Sequence, residues 1–390
     1  MDKNNWTYKK LGEVCYIGLG FTHTPTYVDD GIPFLSVKDI SGGKIDFSDT
    51  KFVSEKEYIN APKGAKPQKG DILFCRVGTM GKPVIIDTDI RFCTFVSLGY
   101  LSILSKELIN VFVKYWMLSD SFNDQIKASV RGLAIKNLNT GWLRLFTIPI
   151  PPLAEQERIV TELDLLSSII EKKKAQLKEY DKLAQSIFYD MFGDPITNEK
   201  GWEVKTMGEV GELQRGSGLS KKDLIESGFP CILYGQIHTR FGAYTKTHIA
   251  CIPQELVRTA KIAHFGDVVM AITSEDVEGS CKSVAWMGDY DIAVGSDAAI
   301  YRHTLNGIYV SYYTQTKAFY FEKAKYAKGF KVTHISTKEI AKIPIPLPPL
   351  FLQQEFAEKI ESIEQQKLLI QQSIIEVQTM LDYTMDKYFG

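Results

Sequence analysis

Residue groups that could support catalysis are sparse in this sequence. The segment Gly78-Thr-Met-Gly-Lys82 combines glycines with a lysine, but it lacks the Gly-Lys-Ser/Thr order of a phosphate-binding loop. Gly18-Leu-Gly20 lacks the strand–turn–helix setting that a dinucleotide-binding turn requires. The sequence contains neither a Gly-x-Ser-x-Gly nucleophile turn nor a His-Glu-x-x-His metal motif. These observations indicate a chain that carries out no reaction on its own.

Three acidic residues lie within four positions, namely Glu275, Asp276 and Glu278. No histidine or further carboxylate lies close to them in the sequence. The Asn/Asp-Pro-Pro-Tyr/Phe run of amino-methyltransferases is absent. We interpret the three acids as a solvated turn, with a metal site as the alternative, and we expect the chain to hold neither a metal nor a cofactor.

The composition is that of a globular protein. The 390 residues are 44% hydrophobic and 24% charged, and the formal net charge is −1. This balance argues against nucleic-acid binding through bulk positive charge, although it is compatible with a local basic groove. The start of the chain does not resemble a signal peptide, and no apolar run reaches 18 residues, so no membrane segment is predicted.

The cysteine pattern indicates reduced thiols. The six cysteines are Cys15, Cys75, Cys93, Cys231, Cys251 and Cys281. None belongs to a Cys-x-x-Cys pair, and no histidine cluster offers metal-ligand spacing. We therefore expect a cytoplasmic protein.

One stretch of sequence occurs twice and organises the chain. Ile148-Pro-Ile-Pro-Pro-Leu and Ile345-Pro-Leu-Pro-Pro-Leu each place an apolar run and a Pro-Pro pair before a Gln/Glu-rich segment. Similar openings at Trp6 and Trp202 recur at nearly the same separation, as do Gly-Asp pairs that precede apolar runs. The pattern predicts two duplicated halves, 1–193 and 194–390, rather than a solenoid of short repeats.

Each half is predicted to contain a mixed α/β globule. The β-like runs are 33–37, 72–77, 84–86 and 100–104 in the first half, and 231–234, 268–272, 283–286 and 298–302 in the second. Helical stretches are predicted near 106–118 and 307–317.

Apolar residues recur after each Pro-Pro pair in alternating steps of four and three. The series is broken by Lys173 in the first half and by Lys367 in the second. This pattern predicts helices at about 153–191 and 350–388 that pair with each other, antiparallel, as a coiled coil. The globules would then lie at opposite ends of a two-helix spacer, related by a pseudo-twofold axis. The alternative is that each helix packs on its own globule.

The predicted fold is therefore α+β, with two tandem mixed α/β domains that are each followed by a long helix. The predicted boundaries are 1–151 for the first domain, 152–193 for its helix, 194–348 for the second domain and 349–390 for its helix.

The chain resembles the specificity subunits of type I restriction-modification enzymes. The resemblance covers essentially the whole sequence. It is carried by the Trp…Lys…Gly-Glu-Val openings, the segment at 70–82, the Pro-Pro-Leu-x-x-Gln helix starts and the duplication around two long helices. It implies a non-catalytic DNA-binding subunit in which each domain reads one half of a bipartite target.

The resemblance also implies partners. Double-stranded DNA is the ligand, and the helices dock two methyltransferase subunits, which would carry the S-adenosylmethionine that this chain does not. A restriction/translocase subunit is an optional further partner. Joining two weak half-site readers would give one firm complex through effective concentration.

In the first domain, the candidate DNA contacts are Lys38, Arg76, Thr79, Lys82, Arg131 and Lys136. Arg76 ends an apolar run and enters a Gly-rich loop, and an arginine can grip guanine or phosphate through two hydrogen bonds. The alternative is that Arg76 pairs with a local carboxylate. Arg131 and Lys136 lie in a segment that is expected to join a helix to a strand and to expose both cations; the alternative is that they are solvated loop charges.

In the second domain, the candidate contacts are Tyr234, Gln236, His238, Arg240, Ser274, Lys328, Lys331 and His334. Gln236 can read adenine and Arg240 can read guanine. The alternative for the segment 234–240 is an ordinary edge strand. His238 and His334 have a structural or solvent-facing role as their alternative.

The two domains are not expected to contact DNA identically. The second has Ala271-Ile-Thr-Ser-Glu-Asp-Val-Glu-Gly where the first has Arg76-Val-Gly-Thr-Met-Gly. Two other classes of function stay open on the sequence: a self-contained restriction or modification enzyme whose catalytic centre is not recognised, and a coiled-coil scaffold without affinity for DNA.

Overall fold

The chain forms two units in the computed structural model, which describes residues 3, 5–78, 80–129, 137–327 and 332–390, without the side chain of Lys63. Unit 1 comprises Met1–Lys174 and Gln371–Gly390, and unit 2 comprises Ala175–Ile370. Each unit combines short sheets with helices, so the prediction of a mixed α/β fold is confirmed.

Two helices of 40 residues each, Leu153–Phe192 and Leu350–Phe389, are the longest elements. We call them the first and the second long helix. Their bounds agree with the predicted ones to within one residue at the carboxyl end. Both begin directly after a Pro-Pro pair, because proline fits the start of a helix but lacks the N–H that a strand or helix interior requires.

The strand that precedes each Pro-Pro pair closes its repeat. Thr147–Ile150 pairs antiparallel with Thr7–Lys10, and Pro344–Leu347 pairs antiparallel with Glu203–Thr206. The two recurring sequence motifs, the Trp opening and the Pro-Pro element, therefore lie side by side in each repeat. This pairing explains why both motifs recur together.

In unit 1, the start of the first long helix packs against the end of the second. Ile159 and Leu163 share one buried core with Tyr388 and Phe389. The Tyr388 hydroxyl accepts a hydrogen bond from Arg158 Nη1 at 3.2 Å and donates one to the Glu162 carboxylate. The two helices run in opposite directions within this unit.

In unit 2, the end of the first long helix packs against the start of the second. The ring centroids of Phe188 and Phe192 lie 5.6 and 5.3 Å from that of Phe356. Tyr309, from the globular part of the unit, stacks on Phe188 at 5.8 Å. The aromatic rings therefore join both helices to the globular part in one core.

Lys367, which breaks the apolar series of the second long helix, forms ion pairs. Its Nζ lies 2.7 Å from the carboxylates of both Asp181 and Glu364, and its side chain is 16% exposed. Burial lowers the pKa of Lys367, but the two hydrogen-bonded carboxylates outweigh burial and raise the pKa. A polar group in an otherwise apolar seam favours one register of the helices.

Two four-stranded sheets complete unit 1. The first contains, in spatial order, Cys15–Leu19, Leu98–Ile103, Ile72–Cys75 and Val84–Ile85, all antiparallel. The second contains Tyr27–Val28, Lys51–Val53, Ile32–Leu35 and Cys93–Thr94, of which the last two are parallel. The short helices are Leu11–Val14, Glu55–Asn60, Asn110–Leu118, Asp120–Ser129 and Thr140–Leu145, with 3-10 turns at Val37–Ile40 and Lys63–Ala65.

Unit 2 has a corresponding arrangement. Its five-stranded sheet has the order Gly211–Arg215, Ala298–His303, Val268–Ala271, Ser283–Trp286 and Tyr244–Thr245. A four-stranded sheet has the order Cys251–Ile252, Phe229–Ile232, Ile292–Val294 and Lys261–Ala263, and Thr273–Ser274 pairs with Thr333–His334. The short helices are Met207–Val210, Tyr234–Thr239, Gln254–Val257, Gly307–Tyr313, Lys317–Ala324 and Thr337–Ile340, with a 3-10 turn at Lys221–Asp223.

The predicted β-like runs all contain strands, with differences at their ends. Ser283–Trp286 has the predicted bounds, and Val268–Ala271 is one residue shorter than predicted. The Gly-Asp turns are confirmed, since Gly70 and Gly266 have φ of +89° and +86° immediately before Asp and a buried strand. One prediction is wrong: Tyr234 starts a helix instead of ending a strand.

The cysteines and the helices give two further observations. All six cysteines are buried and unpaired, and burial raises the pKa of Cys15 to about 12. Within the described ranges, no helix is both long enough and apolar enough to cross a membrane.

The ion pairs of Lys367 yield a stability prediction. Lys367→Ala should lower the free energy of unfolding by about 1–3 kcal/mol, because it leaves the partly buried Glu364 and the exposed Asp181 carboxylates without their largely buried cation. Lys359→Ala is the control, since Lys359 pairs with Glu355 on the same helix at an exposed position and should change stability by about 0.5 kcal/mol or less. Denaturant unfolding of both variants measures the difference, and equal effects would contradict the proposed role of the pairs.

Candidate nucleic-acid interface

Lys38 lies on an exposed turn of unit 1. The turn is held by Asp39, whose carboxylate accepts hydrogen bonds from the Ser36 N–H at 2.6 Å and the Ser36 hydroxyl at 2.9 Å. Lys38 Nζ lies 2.6 Å from the Asp49 carboxylate, and this hydrogen bond raises the pKa of Lys38. A nucleic-acid phosphate would have to compete with Asp49 for this ammonium group.

Arg76 is buried, with 6% of its surface exposed. Its Nε donates to the Leu138 carbonyl at 3.0 Å and its Nη1 donates to the Val96 carbonyl at 2.7 Å. Burial lowers the pKa of Arg76. The guanidinium thus binds main-chain oxygens, which neither alternative from the sequence anticipated: within the described ranges Arg76 makes no ion pair with a carboxylate.

The loop after Arg76 is short and glycine-bearing. The Gly81 N–H donates to the Cys75 carbonyl at 3.0 Å, which closes a loop of residues 76–80. Gly78 and Gly81 have φ of +71° and +89°, values that favour glycine. Lys82 follows the loop; it is exposed and makes no hydrogen bond or ion pair with another described residue. Thr79, Arg131 and Lys136 lie outside the described residues.

In unit 2, the segment 234–239 is a short helix rather than an edge strand. Gln236 explains this, because its side-chain oxygen accepts a hydrogen bond from the Leu233 N–H at 2.9 Å and caps the helix start. The oxygen that was predicted to read adenine is therefore used within the helix. Tyr234 and Arg240, at the two ends of the helix, are exposed.

Thr273 brings two of the candidate side chains of unit 2, His238 and His334, together. Its carbonyl oxygen lies 3.1 Å from His238 Nε2, and its hydroxyl lies 3.3 Å from His334 Nδ1. Ser274 is the next residue and pairs with Thr333 in the small two-stranded sheet. The ring of Tyr234 meets His238 edge-on at 6.1 Å. Lys328 and Lys331, which precede this strand, lie outside the described residues.

Thr273 and Lys282 were not among the residues predicted from the sequence. Lys282 Nζ donates to the His238 carbonyl at 3.0 Å and ties the end of the short helix to the strand that follows the loop. The signal available in the sequence was the loop between Ala271 and Cys281, which is longer than its counterpart in the first repeat. A longer loop needs residues that fix its conformation, and such residues are expected within it or next to it in the sequence, as Thr273 and Lys282 are.

The acidic residues of this loop form a turn. Asp276 accepts a hydrogen bond from the Gly279 N–H at 2.6 Å, and Glu275, Asp276 and Glu278 are all exposed. In the part of the chain that the structure describes, no group of three or more His, Cys, Asp or Glu side chains is placed to hold a metal. The geometry agrees with the interpretation of these acids as a solvated turn.

A sequence model of the type I restriction modification DNA specificity domain matches the chain twice, over residues 3–179 and 199–379. The two matches account for most of the chain and coincide with the two repeats.

Individual relatives are more distant. The type I restriction enzyme MjaIX specificity subunit of Methanocaldococcus jannaschii is 24% identical over 246 residues. That match takes in 56% of this chain and 55% of the relative, so the chain spans little more than half the length of this curated relative.

Two solved structures are similar along nearly the whole chain. One, from work on complex assembly and conformational transition of the type I R-M system, is 20% identical with a TM-score of 0.58, and the match covers 99% of this chain and 97% of that one. The other, a type I restriction-modification S subunit from M. genitalium, is 17% identical with a TM-score of 0.53 and coverages of 99% and 96%. At these identities the likeness concerns the fold.

Two glycines provide a matched test of the loop geometry. A Cβ added to Gly279 would lie 2.3 Å from the Ser274 hydroxyl oxygen, whereas one added to Gly235 meets nothing within 4 Å. Gly279→Ala should force the Ser274 hydroxyl out of its rotamer and lower the free energy of unfolding by about 0.5–1.5 kcal/mol. Gly235→Ala lies in the short helix and should be neutral or stabilising by up to about 1 kcal/mol. Denaturant unfolding of both variants tests this, and an unchanged stability of Gly279→Ala would show that the loop tolerates the extra atom.

Proposed function

The chain belongs to the family of type I restriction-modification DNA specificity domains, and we propose that it is the sequence-reading subunit of a type I restriction-modification complex. Each repeat would read one half of a bipartite DNA target. The observation that carries the proposal is that the specificity-domain model matches twice, once on each repeat. A duplicated reader is the arrangement that a target with two separated half-sites requires.

Differences between the repeats support two different half-sites. The same central strand ends at Cys75 in one repeat and at Ala271 in the other, and it leads into loops of different length and composition. Base-edge contacts determine sequence preference, whereas phosphate contacts determine position. Unequal loops at equivalent positions therefore favour an asymmetric target.

The candidate surface of the second repeat suits direct reading. Tyr234 and Arg240 are exposed, and His238 and His334 are held by hydrogen bonds to Thr273. Arginine is the most frequent reader of guanine, and side chains held in place lose less entropy on binding. Because the net charge of the chain is −1, its affinity for DNA would depend on this local arrangement and on exposed cations such as Lys82 rather than on bulk charge.

We assign the chemistry to partner subunits. Two methyltransferase subunits, which bind S-adenosylmethionine, would transfer methyl groups to the half-sites, and a restriction/translocase subunit would be an optional addition. The support is the family membership of the chain together with the lack of catalytic motifs in its sequence.

We propose that the two long helices act as the spacer between the readers. At about 1.5 Å per residue, a helix of 40 residues is about 60 Å long. Support comes from the opposite directions of the helices in each unit and from the ion pair between Lys367 and Asp181 of the partner helix. An antiparallel coiled coil would hold the spacing of two half-sites constant.

The proposal that the chain reads DNA but catalyses no reaction is tested with the purified chain. Alone, with S-adenosylmethionine and DNA from a host that lacks the system, it should neither methylate nor cut. Methyl transfer should appear when the methyltransferase of the same system is added, and the methyltransferase alone is the control. Robust methylation by the lone chain would instead support the alternative of a self-contained enzyme.

The spacer is tested by lengthening one helix. Four residues inserted after Ala175 add about 6 Å if the helix continues, so the gap between half-sites should lengthen by about one or two base pairs. The half-site sequences should stay the same. Genome-wide mapping of methylated sites measures both properties. The same insertion after Gly42, in an exposed loop, is the control and should leave the gap unchanged. Altered half-sites with an unchanged gap would contradict a spacer function.

A further inference from the structure

The two repeats use the same main-chain hydrogen bonds where the central strand ends. In the first, the Arg76 N–H donates to Ser97 and the Arg76 carbonyl accepts from Leu138, at 2.9 and 2.8 Å. In the second, Ile272 makes the equivalent bonds with Asp297 and Ile335, at 3.0 and 3.1 Å. Arg76 and Ile272 therefore occupy equivalent positions, and Ile272 is part of the apolar core.

The following loops are closed in the same way but differ in length. Gly81 N–H donates to the Cys75 carbonyl in the first repeat, and Cys281 N–H donates to the Ala271 carbonyl, at 2.8 Å, in the second. Gly81 and Cys281 both have positive φ, +89° and +57°. The loop of the second repeat, residues 272–280, is four residues longer than residues 76–80.

At a second pair of equivalent positions, the cation lies in the second repeat and the apolar residue in the first. The helices Asp120–Ser129 and Lys317–Ala324 both follow a capping hydroxyl and both bury a phenylalanine three residues beyond it, Phe122 or Phe319. In this alignment Lys323 corresponds to Ile126. Ile126 is buried in the core of unit 1, and Lys323 is also buried, with 4% of its surface exposed.

The buried ammonium group of Lys323 binds main-chain atoms of the longer loop. Its Nζ donates to the main-chain carbonyls of Glu278, at 2.8 Å, and Ser280. Burial lowers the pKa of Lys323, which reflects the unfavourable desolvation of the ammonium group. An open pocket of about 800 Å³ borders the same stretch of loop, with Glu278, Gly279 and Lys323 in its lining.

At each of these two pairs of equivalent positions, one repeat has a buried cation and the other has isoleucine. Burying a cation is costly because of its desolvation, a cost that an apolar side chain does not carry. Ile126 and Ile272 show that this fold accepts isoleucine at both positions. Among the described residues, each repeat nevertheless buries one cation, Arg76 or Lys323. Each of these donates to two main-chain carbonyls near the end of the central strand.

We propose that Lys323 is a positioning residue that sets the conformation of loop 272–280 and thereby the base preference of the second repeat. Arg76 has the equivalent role for the first repeat, where it binds Val96 and Leu138. The proposal rests on the function proposed above, because it assumes that these loops face DNA. Neither cation needs to touch DNA itself.

The first test measures the loop without DNA. Lys323→Ile copies the residue of the other repeat and removes the desolvation cost of a buried cation, but it leaves the Glu278 and Ser280 carbonyls without a donor, so the melting temperature should be close to or slightly below that of the wild type. Amide hydrogen exchange at residues 276–281 should become about ten- to a hundredfold faster, because the loop loses two charge-assisted hydrogen bonds. Unchanged exchange in the loop would overturn the proposal. If Lys323→Ile does not fold, Lys323→Met provides the same measurement.

The second test maps methylated sites in a host that expresses the full complex. Lys323→Ile should relax or change the second half-site and leave the first as in the wild type. Arg76→Ile, the matched variant, should do the opposite. Identical motifs for the wild type and both variants, or equal changes at both half-sites, would overturn the positioning role. Absence of any methylated motif with the wild-type chain would contradict the proposed function. The hydrogen-exchange measurement would still decide whether Lys323 fixes the loop.

Discussion

The structure depends on the burial of the aromatic side chains near the ends of the two long helices. Phe188 and Phe192 pack with Tyr309 and Phe356 in unit 2, while Phe389 packs against Phe112, at 5.3 Å between centroids, in unit 1. Full burial of such a side chain stabilises a protein by about 1.5–3 kcal/mol, and the ring pairs add to this. Because each core takes apolar side chains from both helices, neither repeat can complete its core with its own residues. The opposite directions of the helices within each unit follow from that constraint.

The features predicted best from the sequence are those that depend on local signals. The long helices have strong periodicity and Pro-Pro starts, and the Gly70 and Gly266 turns combine a glycine with a buried strand. The strand partners could not be predicted, because pairings such as Ile32–Leu35 with Cys93–Thr94 join residues that are far apart in the chain. The helix at Tyr234–Thr239 was missed because it depends on one cap, Gln236, in a segment of weak propensity.

The candidate site shows the same division. The duplication and the unequal loops could be predicted from residue patterns, but the direction of a long side chain could not. Arg76 at the end of an apolar run is compatible with a contact to DNA. Its guanidinium instead turns toward Val96 and Leu138, which lie 20 and 62 residues away in the sequence. The position of such distant carbonyls is a property of the folded chain. In the sequence, the nearest indication that Arg76 is buried is the isoleucine, Ile272, at the equivalent position of the other repeat.

The shared helices also impose an order on biosynthesis. Unit 2 is continuous in sequence, whereas unit 1 needs Gln371–Gly390 to complete its core. A chain that leaves the ribosome from its N-terminus therefore exposes Ile159, Leu163 and Phe112 until Tyr388 and Phe389 have been made. The repeat that is translated first becomes fully folded last. In the interval its apolar surface is available to chaperones or to neighbouring nascent chains, and truncation near the carboxyl end would destabilise the amino-terminal half of the protein.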